Sequence, residues 1–454
     1  MKSLLIRNIH TLVTMNEAGE ELRNAEMLVR GNRIEALGPA GRLAIGQADE
    51  VLDLRGRHIV LPGLVNTHHH FYQHLTRAVP AAQDRELFGW LRTLYPIWAR
   101  MTPDGVRASA MLCAAELILS GCTTASDHLY LFPNGSRLDD EIEAVARTGL
   151  RFHASRGSMS VGESQGGLPP DSVVEPEAEI LKDSQRLIET FHDPKPLSML
   201  RITLAPCSPF SVSRDLMRES AALARSYPGV RLHTHLAENQ LDVDYSRKHF
   251  GQTPVEFAES VDWLGQDVWH AHCVWLDERG IARFAQTGTG VAHCPCSNMR
   301  LASGIAPVAQ LRAAGVPVGL GADGAASNDA SNLLREARQA MYSARVRALD
   351  ASAMTARQAL HLASRGGARV LGRDDIGSLA PGMAADFIAF NVDTPRLAGA
   401  QHDPVAGLVF CDEDRVDYSF INGRCVVSER QFLPFDLQSV CADVNRLSLA
   451  MING

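Results

Sequence analysis

The sequence predicts an α/β protein, a (β/α)8 barrel of the TIM type carrying a small β-sandwich domain built from both chain ends. Three observations lead there. Short apolar runs alternate with helical-period stretches through the middle of the chain, the pattern of a parallel sheet. Both ends carry closely spaced short β runs broken by turn residues. Histidines and carboxylates recur where the predicted middle strands end, and in a barrel that edge carries the chemistry.

The N-terminal β texture covers Leu4 to Ile9, Met27 to Arg30, Arg33 to Leu37 and Val51 to Leu54, with Gly31-Asn32 and Gly38-Pro39 as turns. These runs read as a small antiparallel unit. The same texture returns after Gly377, in Ala385 to Asn391, Val416 to Ile421 and Arg424 to Val427, and Asn422-Gly423 between the last two is a hairpin signal. The expected domains are therefore 1–60 with 376–433 as the β unit, 61–375 as the barrel, and 434–454 as a terminal helix. Candidate barrel strands are His58–Asn66, Cys122–His128, Leu150–Ser155, Arg201–Pro206, Val230–Leu236, Val268–Cys273, Gly290–His293 and Val318–Asp323. Helical patterns separate most of them, among them Pro103–Leu119, Arg214–Arg225, Pro254–Ser260 and Asn332–Ala344. Glu163 to Pro176 is polar, rich in Gly and Pro, and reads as a long loop.

A length of 454 residues exceeds one ordinary compact core. Apolar residues at 45% and charged residues at 21% exclude a disordered chain. A net charge of -8, spread along the chain, offers nothing to a nucleic-acid polymer or an anionic membrane. Met1 to Arg7 reads MKSLLIR with polar residues following, so no secretory h-region forms, and no apolar run approaches the ~18 residues of a membrane span. Nine cysteines, odd in number and irregularly spaced, point to reduced thiols and a cytoplasmic setting.

The strand ends carry the informative residues. The first ends in His68-His69-His70, where 68 and 70 share a face and 69 has the opposite parity. The fifth ends in His233-Thr234-His235 with Glu238 beyond; the sixth in His270-Ala271-His272; the eighth in Asp323; the second in Asp127-His128. Imidazoles and carboxylates are the ligands of a catalytic zinc-like site. Any one His-x-His is weak evidence, since lone histidines usually pack. His233 precedes its strand end and reads as packing or support, His270 as core, and His293 as either pocket lining or filler. Cys294-Pro295-Cys296 is too tightly spaced for a zinc hairpin and has no second pair. The sequence also lacks a Gly-x-Ser-x-Gly elbow and a phosphate-binding Gly-rich loop.

These residues resemble the amidohydrolase superfamily. The segments that carry the likeness are Leu61 to His70, His235-Leu236-Ala237-Glu238, Ala271-His272-Cys273-Val274, Cys296-Ser297-Asn298-Met299, Gly321 to Asn328 and Leu379 to Asp386. They span nearly the whole chain and are similar to the branch of aromatic deaminases and triazine hydrolases. Two-metal branches carry a bridging lysine after the fourth strand; here that stretch reads Ala205-Pro206-Cys207-Ser208-Pro209. The resemblance therefore implies one divalent metal, Zn²⁺, held by His68, His70, His235 and Asp323, although iron and manganese suit similar ligands. It implies hydrolytic deamination of a small heterocycle, with 8-oxoguanine and water giving urate and ammonia. The alternatives it leaves open are adenosine derivatives such as S-adenosylhomocysteine, guanine or isoguanine, and hydroxytriazines. Glu238 would shuttle protons, His272 would orient the nucleophile, and Asp323 would also accept its proton. Gln73, His128, Arg156, Cys207 and Asn298 are candidates for recognising the substrate, and Ser158 could reach it too. Trp90 and Trp98 form either an aromatic wall or the packing of a loop helix. A homo-oligomer is expected of such barrels. Outside this chemistry stand ring-amide hydrolysis, which the missing lysine opposes, and a non-catalytic metal-binding barrel, which the filled ligand set opposes.

Overall fold

A computed structural model of the chain describes residues 2–43 and 48–454. Met1 and residues 44–47, which belong to the expected N-terminal β unit, lie outside the described residues. Eight parallel strands close into a barrel. In chain order they are β1 (Leu64–Asn66), β2 (Cys122–Leu129), β3 (Arg151–Ser158), β4 (Leu200–Pro206), β5 (Arg231–Leu236), β6 (Val268–His272), β7 (Gly290–His293) and β8 (Val318–Leu320). Every residue of β2 and β3 is buried, as expected for strands covered on both faces.

The expected first strand is two strands. His58–Pro62 belongs to the outer sheet, pairing with Phe387–Asn391 and with Ser3–Val13, and only Leu64–Asn66 enters the barrel. Gly63 makes the joint: a Cβ there would lie 2.0 Å from Thr123 Oγ1, so no larger residue lets the chain pass that close. The eighth strand is shorter than expected, ending at Leu320, and Asp323 sits beyond it in a left-handed conformation (φ 60°).

Nine strands from both chain ends hydrogen-bond into the outer sheet. Its spine is Ser3–Val13, His58–Pro62, Phe387–Asn391, Tyr418–Ile421 and Arg424–Ser428. The N-terminal part is mixed, because Ser3–Val13 pairs in parallel with Glu50–Asp53 and His58–Pro62 but antiparallel with Glu21–Arg30. Asn422 and Gly423 both have positive φ (52° and 77°), the geometry that the Asn-Gly turn supplies. The sheet has its own core, including Ile6, Met27, Phe387 and Phe420, with the two phenyl rings stacked at 4.5 Å. The stretch 163–176 is loop with two short 3-10 turns. A last helix, Leu437–Asn453, lies on the barrel side, where Ser448 Oγ donates to Leu75 O at 2.7 Å. No helix among the described residues is long and apolar enough to cross a membrane.

A buried ion pair helps to fasten sheet to barrel. Arg151, at the start of β3, donates from Nε and Nη2 to the Asp386 carboxylate at 2.9 and 3.0 Å. Its Nη1 donates to the carbonyls of Leu197 and Ser198, and Asp386 Oδ1 also accepts the Asn422 N–H. Both side chains are buried. Such a pair adds little over an apolar one, but removing one partner strands the other charge. Asp386→Ala is expected to cost about 3–5 kcal/mol of stability, read as a lower urea midpoint, whereas a midpoint unchanged from wild type would show that the pair does not hold the two parts together.

Candidate active site

Histidine and acid side chains meet above the C-terminal ends of the strands. His70 Nε2 lies 3.2 Å from His235 Nε2. Asp323 Oδ1 lies 3.3 Å from both His68 Nε2 and His70 Nε2. His272 Nε2 is 3.5 Å from Glu238 Oε2 and 4.0 Å from Asp323 Oδ2. The backbone makes this convergence by bending just past three strands: Ala237, His272 and Asp323 have φ of 50°, 67° and 60°. Left-handed backbone at residues other than glycine costs on the order of 1 kcal/mol or more and concentrates at functional sites.

The outer nitrogens fix what the inner ones can do. His70 Nδ1 lies 2.7 Å from the His128 carbonyl, and His235 Nδ1 lies 2.6 Å from the Cys207 carbonyl. A carbonyl only accepts, so each Nδ1 carries the proton and each Nε2 is a bare lone pair. His233 Nδ1 faces the Trp269 carbonyl at 3.0 Å, so its Nε2 accepts, and it accepts from His68 Nδ1 at 2.8 Å. His68 Nε2 is then bare as well. Burial, first of all, and the neighbouring imidazoles hold the pKa values of these three histidines low, that of His235 at about 3, so they are neutral at pH 7. Three lone pairs and a carboxylate oxygen thus face one another in a dry site. His68 Nε2 and Asp323 Oδ1 have no hydrogen-bond partner. Lone pairs at 3.2 Å repel unless a cation lies between them, so this donor set fits a divalent metal of the zinc type. His68, His70 and Asp323 offer ligand atoms within 4.8 Å of one another, as do His68, His235 and His272.

Asp323 Oδ2, facing the other way, accepts from Ser297 Oγ at 2.5 Å and Ser327 Oγ at 3.0 Å. Burial pushes the Glu238 carboxyl up to about 7, with the charge of His272 opposing and those of Asp323 and Asp242 adding. Burial would lower His272, but Glu238 and Asp323 outweigh it and its pKa is raised. The pair is therefore poised for proton transfer near neutrality.

A pocket opens over these groups. The helix Leu87–Trp98 walls it with Trp90, Leu91 and Tyr95; Tyr130 and Phe210 close other sides. Of the expected recognition residues, Gln73 and Cys207 line the pocket. Gln73 Oε1 accepts the Ala326 N–H at 3.3 Å, which leaves its amide N–H₂ as the group it can present. His128 and Asn298 stand behind the lining. His128 Nε2 meets the Ala205 carbonyl, and Asn298 Oδ1 accepts from His272 Nδ1 at 2.9 Å. Arg156 is outside the lining. Its guanidinium is taken up by Glu175, Asp183 and the Gly157 carbonyl and lies over Phe132. Ser158 Oγ is buried without a partner and is also outside the lining. Trp90 faces the pocket while Trp98 packs edge-on behind it, donating to Thr76 Oγ1. His69 turns to Ser331 (2.9 Å), and His270 turns to the Trp263 carbonyl. His293 is buried outside the lining, without a hydrogen bond. Sequence reasoning missed Tyr95, Tyr130, Phe210 and the two serines on Asp323; Tyr130, two residues past His128, is the one its own strand-end logic could have found.

The amidohydrolase family model matches residues 59–426. The chain is 46% identical to 8-oxoguanine deaminase of Pseudomonas aeruginosa over all of both chains. It is 38% identical to hydroxydechloroatrazine ethylaminohydrolase of a Pseudomonas species, covering 96% of this chain and 93% of that one. Among solved structures, the atrazine chlorohydrolase of Arthrobacter aurescens complexed with zinc superposes with a TM-score of 0.93 at 35% identity, covering 98% of this chain and 100% of that one.

The tautomer chain gives a direct test. His233→Phe removes the acceptor for His68 Nδ1–H and keeps the ring stacked on Trp269. Zinc affinity, measured by chelator competition, is expected to fall about 10–100-fold with the fold intact; an unchanged affinity would mean that His233 does not set the His68 tautomer.

Proposed function

The chain belongs to the amidohydrolase family and is a metal-dependent aminohydrolase of heterocycles, and we propose that its substrate is 8-oxoguanine, released as urate and ammonia. The observation that carries the reading is the convergence of three bare imidazole nitrogens and Asp323 Oδ1 beside the Glu238–His272 pair, under a pocket walled by aromatic side chains. The full-length likeness to 8-oxoguanine deaminase supports the choice of substrate.

We assign His68, His70, His235 and Asp323 as the ligands of one zinc ion. When bound, the metal supplies Lewis acidity that brings the pKa of water from 15.7 to about 7. The protein's own groups then divide the proton work. Asp323 accepts the proton of the attacking water. Glu238, with a pKa near 7, delivers its proton to the ring nitrogen beside the amino-bearing carbon, Asp323 passes the water's proton to the departing amine, and Glu238 regains a proton from the adduct's hydroxyl as the new carbonyl forms. That delivery is required, because an amide anion is too poor a leaving group to depart unaided. His272, held by Asn298, donates to the oxygen that gains charge. Trp90 and Tyr95 exclude water and cover the ring faces. Gln73 presents its N–H₂ to a ring carbonyl, and an 8-oxo purine offers one that a plain amino-purine lacks. A site built around such a donor rejects the analogue that leaves it unpaired.

Ammonia release from 8-oxoguanine, guanine, isoguanine, S-adenosylhomocysteine and a hydroxytriazine amine, run in parallel, tests the substrate. Turnover is expected on 8-oxoguanine ahead of the rest, and equal or faster turnover of another amine would move the assignment to that substrate. Glu238→Gln is expected to lower kcat by about 10²–10⁴; retention of kcat would remove Glu238 from proton transfer. Gly324→Ala puts a Cβ 1.8 Å from Gln73 Oε1 and is expected to raise KM more than it lowers kcat. A KM equal to wild type would show that Gln73 does not grip the substrate.

A further inference from the structure

We propose that Glu336, outside the active site, is the positioning residue that fixes which oxygen of Asp323 faces the metal. It projects from the helix Leu333–Ala348 and is 1% exposed. Its two oxygens hold two different segments. Oε2 accepts the backbone N–H of Cys296 at 3.1 Å, and Oε1 accepts from Asn328 Nδ2 at 2.8 Å. Asn328 Nδ2 also reaches the Ala322 carbonyl at 2.6 Å, tying the arm to the residue before Asp323. The neighbours of the two anchors are Ser297 and Ser327, and both donate to the same oxygen, Asp323 Oδ2.

The consequence is rotational. A carboxylate turns easily about its last torsion, a broad sp³–sp² rotor, so left alone Asp323 would present either oxygen, or neither squarely. Two hydroxyls on Oδ2 stop that rotation and leave Oδ1 without a hydrogen bond, 3.3 Å from His68 Nε2 and His70 Nε2. Serine hydroxyls can themselves swing, so the lock is as firm as the backbone beneath them. Glu336 gives that backbone a common anchor. One buried carboxylate thereby couples the short helix after β7, Pro295–Arg300, to the loop after β8. A merely packed residue at this position would need no such pairing of anchors with the two serines.

The inference rests on Asp323 being a metal ligand, so the test includes Asp323→Asn. Zinc affinity by chelator competition and kcat are measured for Glu336→Gln, Ser297→Ala, Ser327→Ala, Asn328→Ala and their pairs, with thermal melts of the metal-free proteins. Glu336→Gln is expected to weaken zinc about 10–100-fold and to lower kcat with KM unchanged. Its effect should vanish in the Ser297→Ala/Ser327→Ala background. Asn328→Ala cuts one arm alone and gives the result even if Glu336→Gln fails to fold: its loss should overlap with that of Ser327→Ala and add to that of Ser297→Ala. Losses that add in every pair, or unchanged zinc affinity in folded Glu336→Gln or Asn328→Ala, would overturn the proposal while leaving Asp323 a ligand. Unchanged zinc affinity in Asp323→Asn would instead remove the metal-site reading beneath it.

Discussion

A buried lone pair with nothing to accept is costly, and this molecule gathers several at one point. The carbonyls of Cys207, His128 and Trp269 take the outer protons of His235, His70 and His233, and His233 takes that of His68. Everything nearer the barrel axis follows from that: three inner nitrogens are left basic, neutral and aimed together. The carbonyls that set this order come from barrel strands or the residue just beyond one, so the barrel backbone, rather than any distant loop, determines the tautomers of the site. Asp323 closes the group, and its own outer oxygen is occupied by serines. Burial makes these unpartnered lone pairs costly, and the same low-dielectric surroundings strengthen the interactions a bound cation gains.

Rigid strands and bent termini divide the labour. The strands give parallel, register-locked platforms, but side chains leaving straight strands would point along the barrel. The left-handed residues Ala237, His272 and Asp323 turn the chain inward. His272 and Glu238 come together there, each shifting the other, while the helix Leu87–Trp98 covers them with Trp90 and Tyr95. The converging histidines and acids are therefore carried by the barrel, and one wall of the pocket by the helix Leu87–Trp98.

Much of this was legible in the sequence, for reasons that differ by residue. The barrel strands could be read because short strand-like runs alternate with helical-period stretches, and Asn422-Gly423 because that pair readily takes two successive positive φ values between strands. The histidines and acids could be read because they recur at one edge of a repeating unit. The division of His58–Asn66 at Gly63 was hidden, because what requires it is Thr123, sixty residues away. Arg156 looked available because it follows a strand; the acids that engage it, Glu175 and Asp183, come from a loop and a helix whose placement has no local signal. Ser297 and Ser327 lie in segments that carry the family likeness, but no local pattern gives them or Glu336 a role. Their roles exist only once three separate segments have been folded against Asp323.

The outer sheet has a consequence for how the protein is made. His58 pairs with Asn391 and Pro62 with Phe387, so strands more than three hundred residues apart must meet before the sheet is whole. At roughly 5–20 residues per second of synthesis, the N-terminal strands wait tens of seconds on the ribosome with one edge open. Such an edge is a template for pairing with another nascent chain. The interval closes only when Phe387–Asn391 emerges, so a translational pause within the barrel lengthens the exposure of the edge by its own duration.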